Sequence, residues 1–528
     1  MSSHLQQQLH ELARPERRNH LTHIQRGIEK ESLRITPEGR LAQTPHSPKL
    51  GAALTHSSIT TDYSEALMEF ITPPSAGIEQ SLTTLEDIHS YVYQNLDNEM
   101  LWAASMPCIM TGDEGIPVAE YGNSNVARMK NVYRLGLGHR YGRLMQTIAG
   151  IHYNFSMPMP YWKQAWSDAG EPGKLKDYIT ERYLGLIRNF HRYSWLLIYL
   201  FGASPAVCAS FLRGQDDHEL KPFEGDPRSL HLPYGTALRM GDFGYNSDAQ
   251  KDLNVCYNNL DNYVSTLSQA IRTSHPQYAD IPCGSDGDYQ QLNDSLLQIE
   301  NEFYGPIRPK RVAFTGETPL GALRRGGIEY IEVRCVDVSP FSPVGLDAQQ
   351  IRFMDTFLLY CLLEESPDCN DEQQAIEEAN FEAVVNRGRQ PGLCLNDGGQ
   401  EIALSDWAAQ LLSEMDSIAT LLDEEFEGED YRKAVQEQSA KVNDPELTPS
   451  ARVLREMREK QLPFFRLAME YSDKWAGHFK SRKLSPQQLE RFSEESQRSL
   501  QAQADIEKSD EQSFEQYLDS FFSQYQQL

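Results

Sequence analysis

The sequence predicts an α+β fold, and three observations carry that expectation. Four short segments combine apolar and polar residues in the manner of β-strands. Strands and helices follow one another irregularly, without the even strand–helix–strand spacing of a doubly wound parallel sheet. Beyond Pro343 the pattern changes and becomes almost wholly helical.

Taken in order, residues 1–20 suggest a polar helix, and 21–73 read as strands with a turn at Thr36-Pro37-Glu38-Gly39-Arg40. Residues 78–99 set Leu82, Leu85, Ile88 and Val92 near helical spacing. A helix over 126–137, the strand around His152 and one long helix over 175–201 come next. Pro, Gly and Asp punctuate 213–250, residues 253–272 are helical, and 290–343 read as strands and loops. Helices are then expected at 346–365, 405–425, 431–440 and 450–460. The tail, 485–528, is rich in Gln, Glu and Ser and reads as a solvated helical periphery. No internal repeat is evident.

The strand segments carry the chemistry. They are Gly27-Ile28-Glu29-Lys30-Glu31, Leu67-Met68-Glu69-Phe70-Ile71, Ile148-Ala149-Gly150-Ile151-His152-Tyr153-Asn154-Phe155 and Ile328-Glu329-Tyr330-Ile331-Glu332-Val333-Arg334. Period-two alternation puts Glu29 with Glu31, and Glu332 with Arg334, on shared faces. In the third segment Gly150, His152, Asn154 and Ser156 form one face, opposite Ala149, Ile151, Tyr153 and Phe155. Carboxylates gathered on a sheet repel unless a cation sits among them, and hard divalent ions take oxygen ligands. An Arg nearby suits phosphate. The pattern points to a metal-dependent phosphoryl-transfer site. Taken one at a time, Glu29 and Glu31 read more readily as an exposed strand face and His152 as a satisfied core histidine, while a salt bridge explains Glu69 equally well.

The net charge of −27 argues against nucleic acid and anionic membranes as partners. It is uneven: residues 364–528 hold 35 acidic and 17 basic residues, against 41 and 32 before them. Eight cysteines without a CxxC pair read as free thiols, and the polar N-terminus is no secretory signal, so a cytoplasmic, soluble protein is expected. Residues 194–212 are uncharged but interrupted by Gly202-Ala203-Ser204-Pro205, so they read as a buried helix and a loop rather than a membrane span. Gly136-Leu137-Gly138-His139-Arg140-Tyr141-Gly142 is GxGxxxG after a helix, not a dinucleotide fingerprint, and Gly170-Glu171-Pro172-Gly173-Lys174-Leu175 is no P-loop. Arg239, with Tyr133, Tyr245 and Tyr304, offers the fork and hydroxyls that a small carboxylate ligand needs.

Several stretches together resemble bacterial glutamate–cysteine ligase of the proteobacterial type. They are Ile24-Gln25-Arg26-Gly27-Ile28-Glu29-Lys30-Glu31-Ser32-Leu33-Arg34, Ile59-Thr60-Thr61-Asp62-Tyr63-Ser64-Glu65-Ala66-Leu67-Met68-Glu69, Gly150-Ile151-His152-Tyr153-Asn154-Phe155-Ser156, Glu300-Asn301-Glu302-Phe303-Tyr304-Gly305-Pro306 and Gly326-Gly327-Ile328-Glu329-Tyr330-Ile331-Glu332-Val333-Arg334. The likeness runs in order over residues 24–343, with a weaker echo at Asn443-Asp444-Pro445-Glu446-Leu447.

The resemblance implies a glutamine-synthetase-like curved antiparallel sheet backed by helices, forming a catalytic domain over 1–363. A helical, acidic C-terminal region over 364–528 would pack on it. It implies ATP-dependent joining of the L-glutamate γ-carboxyl to the L-cysteine amine through γ-glutamyl phosphate, with Mg²⁺ or Mn²⁺; separately, a monomer is expected. By position, Glu29, Glu31, Asp62, Glu69, His152 and Glu332 match metal-site residues and Arg334 a phosphate-side arginine. Gln146 matches a glutamate contact, and Tyr63, Tyr133, Arg239, Tyr245 and Tyr304 surround the cysteine pocket. Two alternatives stay open: a related carboxylate–amine ligase with another acceptor, and a non-catalytic metal- or amino-acid-binding protein on the same fold.

Overall fold

The computed structural model describes residues 1–212, 218–241, 248–250, 253–284 and 288–528. Its principal sheet is built from β1 (Gln25–Ile35), β2 (Ile59–Thr61), β3 (Leu67–Ile71), β4 (Met100–Leu101), β5 (Gly150–Ser156), β6 (Ile307–Lys310) and β7 (Tyr330–Asp337). The order is β2-β3-β1-β5-β7-β6, with β4 pairing the end of β1, and every pairing is antiparallel. The α+β expectation holds.

One face of this sheet is the floor of the core. Ile28, Met68, Phe70, Ile151, Tyr153, Phe155, Ile331 and Val333 point that way and are fully buried. Helix Ile78–Asn95 packs on β1 and β3, and helix Ala348–Leu363 packs against it and against helix Leu175–Tyr193. Lys30 also lies on the buried side, where its Nζ donates to Ser32 Oγ at 2.7 Å and to His89 Nε2 at 2.9 Å. Burial pushes its pKa down to about 7.

An ionic knot ties the sheet to those helices. The Arg26 guanidinium, 1% exposed, donates from Nε to Asp355 Oδ2 at 2.7 Å and from Nη1 to the carbonyls of Ile24 and Ala76. Tyr153 donates its hydroxyl to the other Asp355 oxygen at 2.6 Å. Asp355 itself is fully buried, so the guanidinium rather than water is the partner of its carboxylate. Asp355→Asn would strand a buried cation, and urea unfolding should show a loss of about 3–5 kcal/mol.

The C-terminal helices continue the same core. Leu404–Glu425 and Asp430–Asn443 pack against each other and on Ala348–Leu363, and the buried apolar cluster runs from Leu5 to Tyr525. Several details differ from the expectation. The helix predicted over 175–201 breaks at Ser194 into Leu175–Tyr193 and Trp195–Phe201. The helix predicted from 253 starts at Leu260, where the Asn259 side chain accepts from Asn262 N and caps it. The tail is less of a periphery than its composition suggests: Tyr525 is fully buried and hydrogen-bonds Glu300, tying the end of the chain to the segment before β6. All eight cysteines are unpaired, and no helix among the described residues is long and apolar enough to cross a membrane.

Candidate active site

The opposite face of the sheet gathers the charged residues. Register sets Glu31 of β1 against Glu69 of β3, Glu29 against His152 of β5, and Asn154 of β5 against Glu332 of β7. Residues directly opposite share a face, so strands far apart in sequence deliver one row of side chains. Between Val333 and Val336 the β7–β5 register slips by a residue. Such a bulge re-aims a side chain: Arg334 Nη1 ends 3.1 Å from Glu332 Oε2 and 3.5 Å from His152 Nδ1.

His152 is the hub of the cluster. Its Nδ1 lies 3.1 Å from Glu29 Oε2 and 4.0 Å from Glu332 Oε1, while Nε2 lies 3.7 Å from Glu31 Oε1. Ligand atoms of Glu29, His152 and Glu332 fall within 4.8 Å of one another. Glu31 accepts from the backbone N–H of Gly150 at 2.6 Å. Asp62, in the turn after β2, is close enough for its charge to act on Glu31 and Glu69.

The charge balance differs across this row. Burial, then the negative charges of Glu29, Asp62, Glu31 and Glu332, push the Glu69 carboxyl well above its usual range. Burial and Asp62 push Glu31 up as well. Burial works the same way on Glu332, but Lys310, Arg334, His152 and Arg308 outweigh it and hold that carboxylate well below the usual range. Burial likewise opposes ionisation of Glu29, which the His152 hydrogen bond keeps low. The half with Glu31, Asp62 and Glu69 thus carries carboxylates that repel one another. Asn154 adds a buried Oδ1 with no hydrogen-bond partner. Mutually repelling oxygens, an imidazole and an orphaned amide oxygen suit a hard divalent cation.

A second group lies beside the row. The Arg239 guanidinium rests on Gly150, where an added Cβ would come within 2.0 Å of Nη2. It donates to the Arg334 carbonyl at 2.8 Å. Met240 Sδ is 3.2 Å from both Arg239 Nη1 and the Tyr304 hydroxyl, linking two residues predicted for one pocket. The Tyr304 backbone N–H reaches Gln250 Oε1, which belongs to a network with Tyr141 and Glu302. Gln146 is buried just before β5. Tyr133 lies on helix Asn125–Tyr141, close enough to Arg308 and Asp62 for their charges to act on its hydroxyl.

Tyr63 is not brought to this group by any hydrogen bond. Its hydroxyl is buried without a partner, 2.4 Å from where a Cβ on Gly138 would stand, so it packs on the helix backbone. Tyr245 lies outside the described residues. The sequence reading assigned no role to Lys310, Arg308, Met240 or Asn154. The basic run Arg308-Pro309-Lys310-Arg311 and the alternating face of β5 were the available signals for three of them.

Fold and site together define a candidate cation-assisted enzyme acting on small anionic substrates. The family described as glutamate-cysteine ligase matches residues 9–384, and the chain belongs to that family. A glutamate–cysteine ligase of Alcanivorax borkumensis is 50% identical over 527 residues, covering 98% of this chain and 99% of the relative. The crystal structure of glutamate–cysteine ligase from Francisella tularensis in complex with AMP matches with a TM-score of 0.89 at 35% identity, over 96% of this chain and 98% of that one. A bifunctional glutathione synthetase from Pasteurella multocida shares the fold, with a TM-score of 0.74 at 23% identity, over 92% of this chain and 58% of that one.

Proposed function

We propose that the chain joins the γ-carboxyl of L-glutamate to the amine of L-cysteine at the expense of ATP, the first step of glutathione synthesis. Glu29, Glu31, Asp62, Glu69, His152 and Glu332 would hold Mg²⁺ or Mn²⁺. The observation that carries the reading is the repelling carboxylate row on one sheet face, bordered by Arg334 and Lys310. Family membership supplies the substrates.

A carboxylate is a poor acyl donor, so phosphorylation converts the γ-carboxyl to an acyl phosphate that an amine can attack. Divalent ions in the row would neutralise charge on the phosphates during the in-line transfer. The Arg334 guanidinium, held against Glu332, stabilises the anionic phosphoryl group. Gln146 orients glutamate. Arg239 presents a planar fork to the cysteine carboxylate, with Tyr133, Tyr304, Tyr245 and Tyr63 around the side chain. Burial of Gln146, Arg239 and Glu31 keeps water from an intermediate it would hydrolyse. The reading extends to a cytoplasmic monomer with a catalytic domain over 1–363 and a helical region over 364–528 packed on it.

Phosphate release from ATP against a panel of amino-acid pairs tests this. It should require a divalent ion, L-glutamate and an amine, with cysteine the best acceptor. Equal turnover with ammonia would reassign the acceptor. A narrower prediction concerns Gly150: Gly150→Ala puts a methyl group where Arg239 lies. The Michaelis constant for cysteine should rise roughly 10-fold or more, the worth of a charge-assisted hydrogen bond, with ATP kinetics nearly unchanged.

A further inference from the structure

Asn154 is not among the six residues assigned to the cation above, and the inference here rests on that proposal. It lies on β5 two residues from His152 and on the same face, with Gly27 of β1 opposite on one side and Glu332 of β7 on the other. Its Nδ2 donates to Glu29 Oε1 at 2.9 Å. That bond fixes which end of the amide is which, because the reversed amide would set an oxygen against a carboxylate. Oδ1 is therefore turned away from Glu29, and it is buried with no hydrogen-bond partner. Buried polar atoms are seldom left so.

No neighbouring donor reaches it. Glu29 and Glu332 only accept, and His152 Nδ1 is already engaged with Glu29. These three place ligand atoms within 4.8 Å of one another on the same face. Gly27 leaves room for the amide, since a Cβ there would stand 3.4 Å from the Asn154 Cβ and 3.6 Å from Nδ2. An acceptor with no donor, beside two carboxylates and an imidazole whose ligand atoms converge on one point of the face, suits a cation.

We propose that Asn154 is a cation ligand of this site: Oδ1 coordinates the divalent ion alongside Glu29, His152 and Glu332, while Nδ2 holds Glu29 in its ligating orientation. Hard divalent ions accept neutral amide oxygens as well as carboxylates. The amide also explains itself electrostatically. An aspartate at this position would give up the hydrogen bond to Glu29 and repel it whenever the cation is absent.

The test uses the full-length, nucleotide-free protein and Mn²⁺ alone, with free Mn²⁺ followed by electron paramagnetic resonance and melting recorded with and without the ion. Asn154→Ala removes both functions, and its Mn²⁺ dissociation constant should rise roughly 10- to 100-fold. Asn154→Asp restores an oxygen but loses the bond to Glu29. It should bind Mn²⁺ at least as tightly as wild type and show a larger ion-induced rise in melting temperature. If the alanine chain does not melt cooperatively, Asn154→Ser, too short to place an oxygen at the ion, replaces it with the same expectation. Equal weakness of the aspartate and alanine chains would overturn the proposal, leaving Asn154 as a residue that merely orients Glu29. Wild-type affinity in the alanine chain would overturn it as well. A wild-type protein that takes up no Mn²⁺ at all would instead defeat the cation site itself.

Discussion

Glu332→Gln and Glu69→Gln should each lower turnover at limiting Mg²⁺ by at least about 100-fold, since loss of a ligand costs more than the 10- to 100-fold typical of its supporting residues. The two variants should part company when stability is measured without cation or nucleotide. Glu69 is pushed up by burial and four like charges, so its folded pKa stands above the unfolded value. The stability it contributes is present below the unfolded value and is lost as pH rises through the folded one. Glu69→Gln should therefore melt higher than wild type at pH 8, with the advantage shrinking toward pH 4. Glu332 has the opposite sign. Lys310, Arg334, His152 and Arg308 hold its pKa low, so its contribution is present above the unfolded value and fades as pH falls through the folded one. Glu332→Gln should melt lower at pH 8. Added Mg²⁺ should erase the advantage of Glu69→Gln, because the ion relieves the same repulsion. Full activity in both variants at limiting Mg²⁺ would rule them out as ligands.

The second large effect separates the acceptor pocket from the phosphoryl side. Arg239→Lys exchanges a planar fork for a point charge and should raise the Michaelis constant for cysteine roughly 10- to 150-fold, the equivalent of about 1.5–3 kcal/mol. Constants for glutamate and ATP should move much less. Arg334→Lys should lower turnover with little change in cysteine affinity, as for a contact made mainly in the transition state. The two guanidiniums are near neighbours, Arg239 donating to the Arg334 carbonyl, so a clean split would reflect function rather than distance. If Arg239→Lys spared cysteine and weakened ATP, the division of the site would be wrong.

Much of the fold was legible because strand and helix periods differ. The alternation over 150–156 sorts His152 from Tyr153 without any knowledge of neighbours, and register then adds Glu29, Glu69 and Glu332 to the same row. What stayed hidden depends on contacts between segments. The bulge after Val333 that aims Arg334 leaves no mark in the sequence. Neither does the seat of Arg239 on Gly150, which lies some ninety residues away in the chain. The Asp371–Arg387 helix was passed over because only Asn380, Val384 and Val385 are buried, so its apolar stripe is faint. The packing of the Tyr63 hydroxyl against Gly138 of the Asn125–Tyr141 helix likewise joins segments far apart in the chain.

The central claim is that this sheet face activates a carboxylate by phosphorylation, and isotope transfer reads that step directly. With L-glutamate carrying ¹⁸O in both γ-carboxyl oxygens, ATP, L-cysteine and Mg²⁺, each turnover through an acyl phosphate must move one labelled oxygen to inorganic phosphate. The account predicts one ¹⁸O in the phosphate for every γ-glutamylcysteine formed, and neither product with Glu332→Gln at limiting Mg²⁺. Product formation with unlabelled phosphate would contradict it.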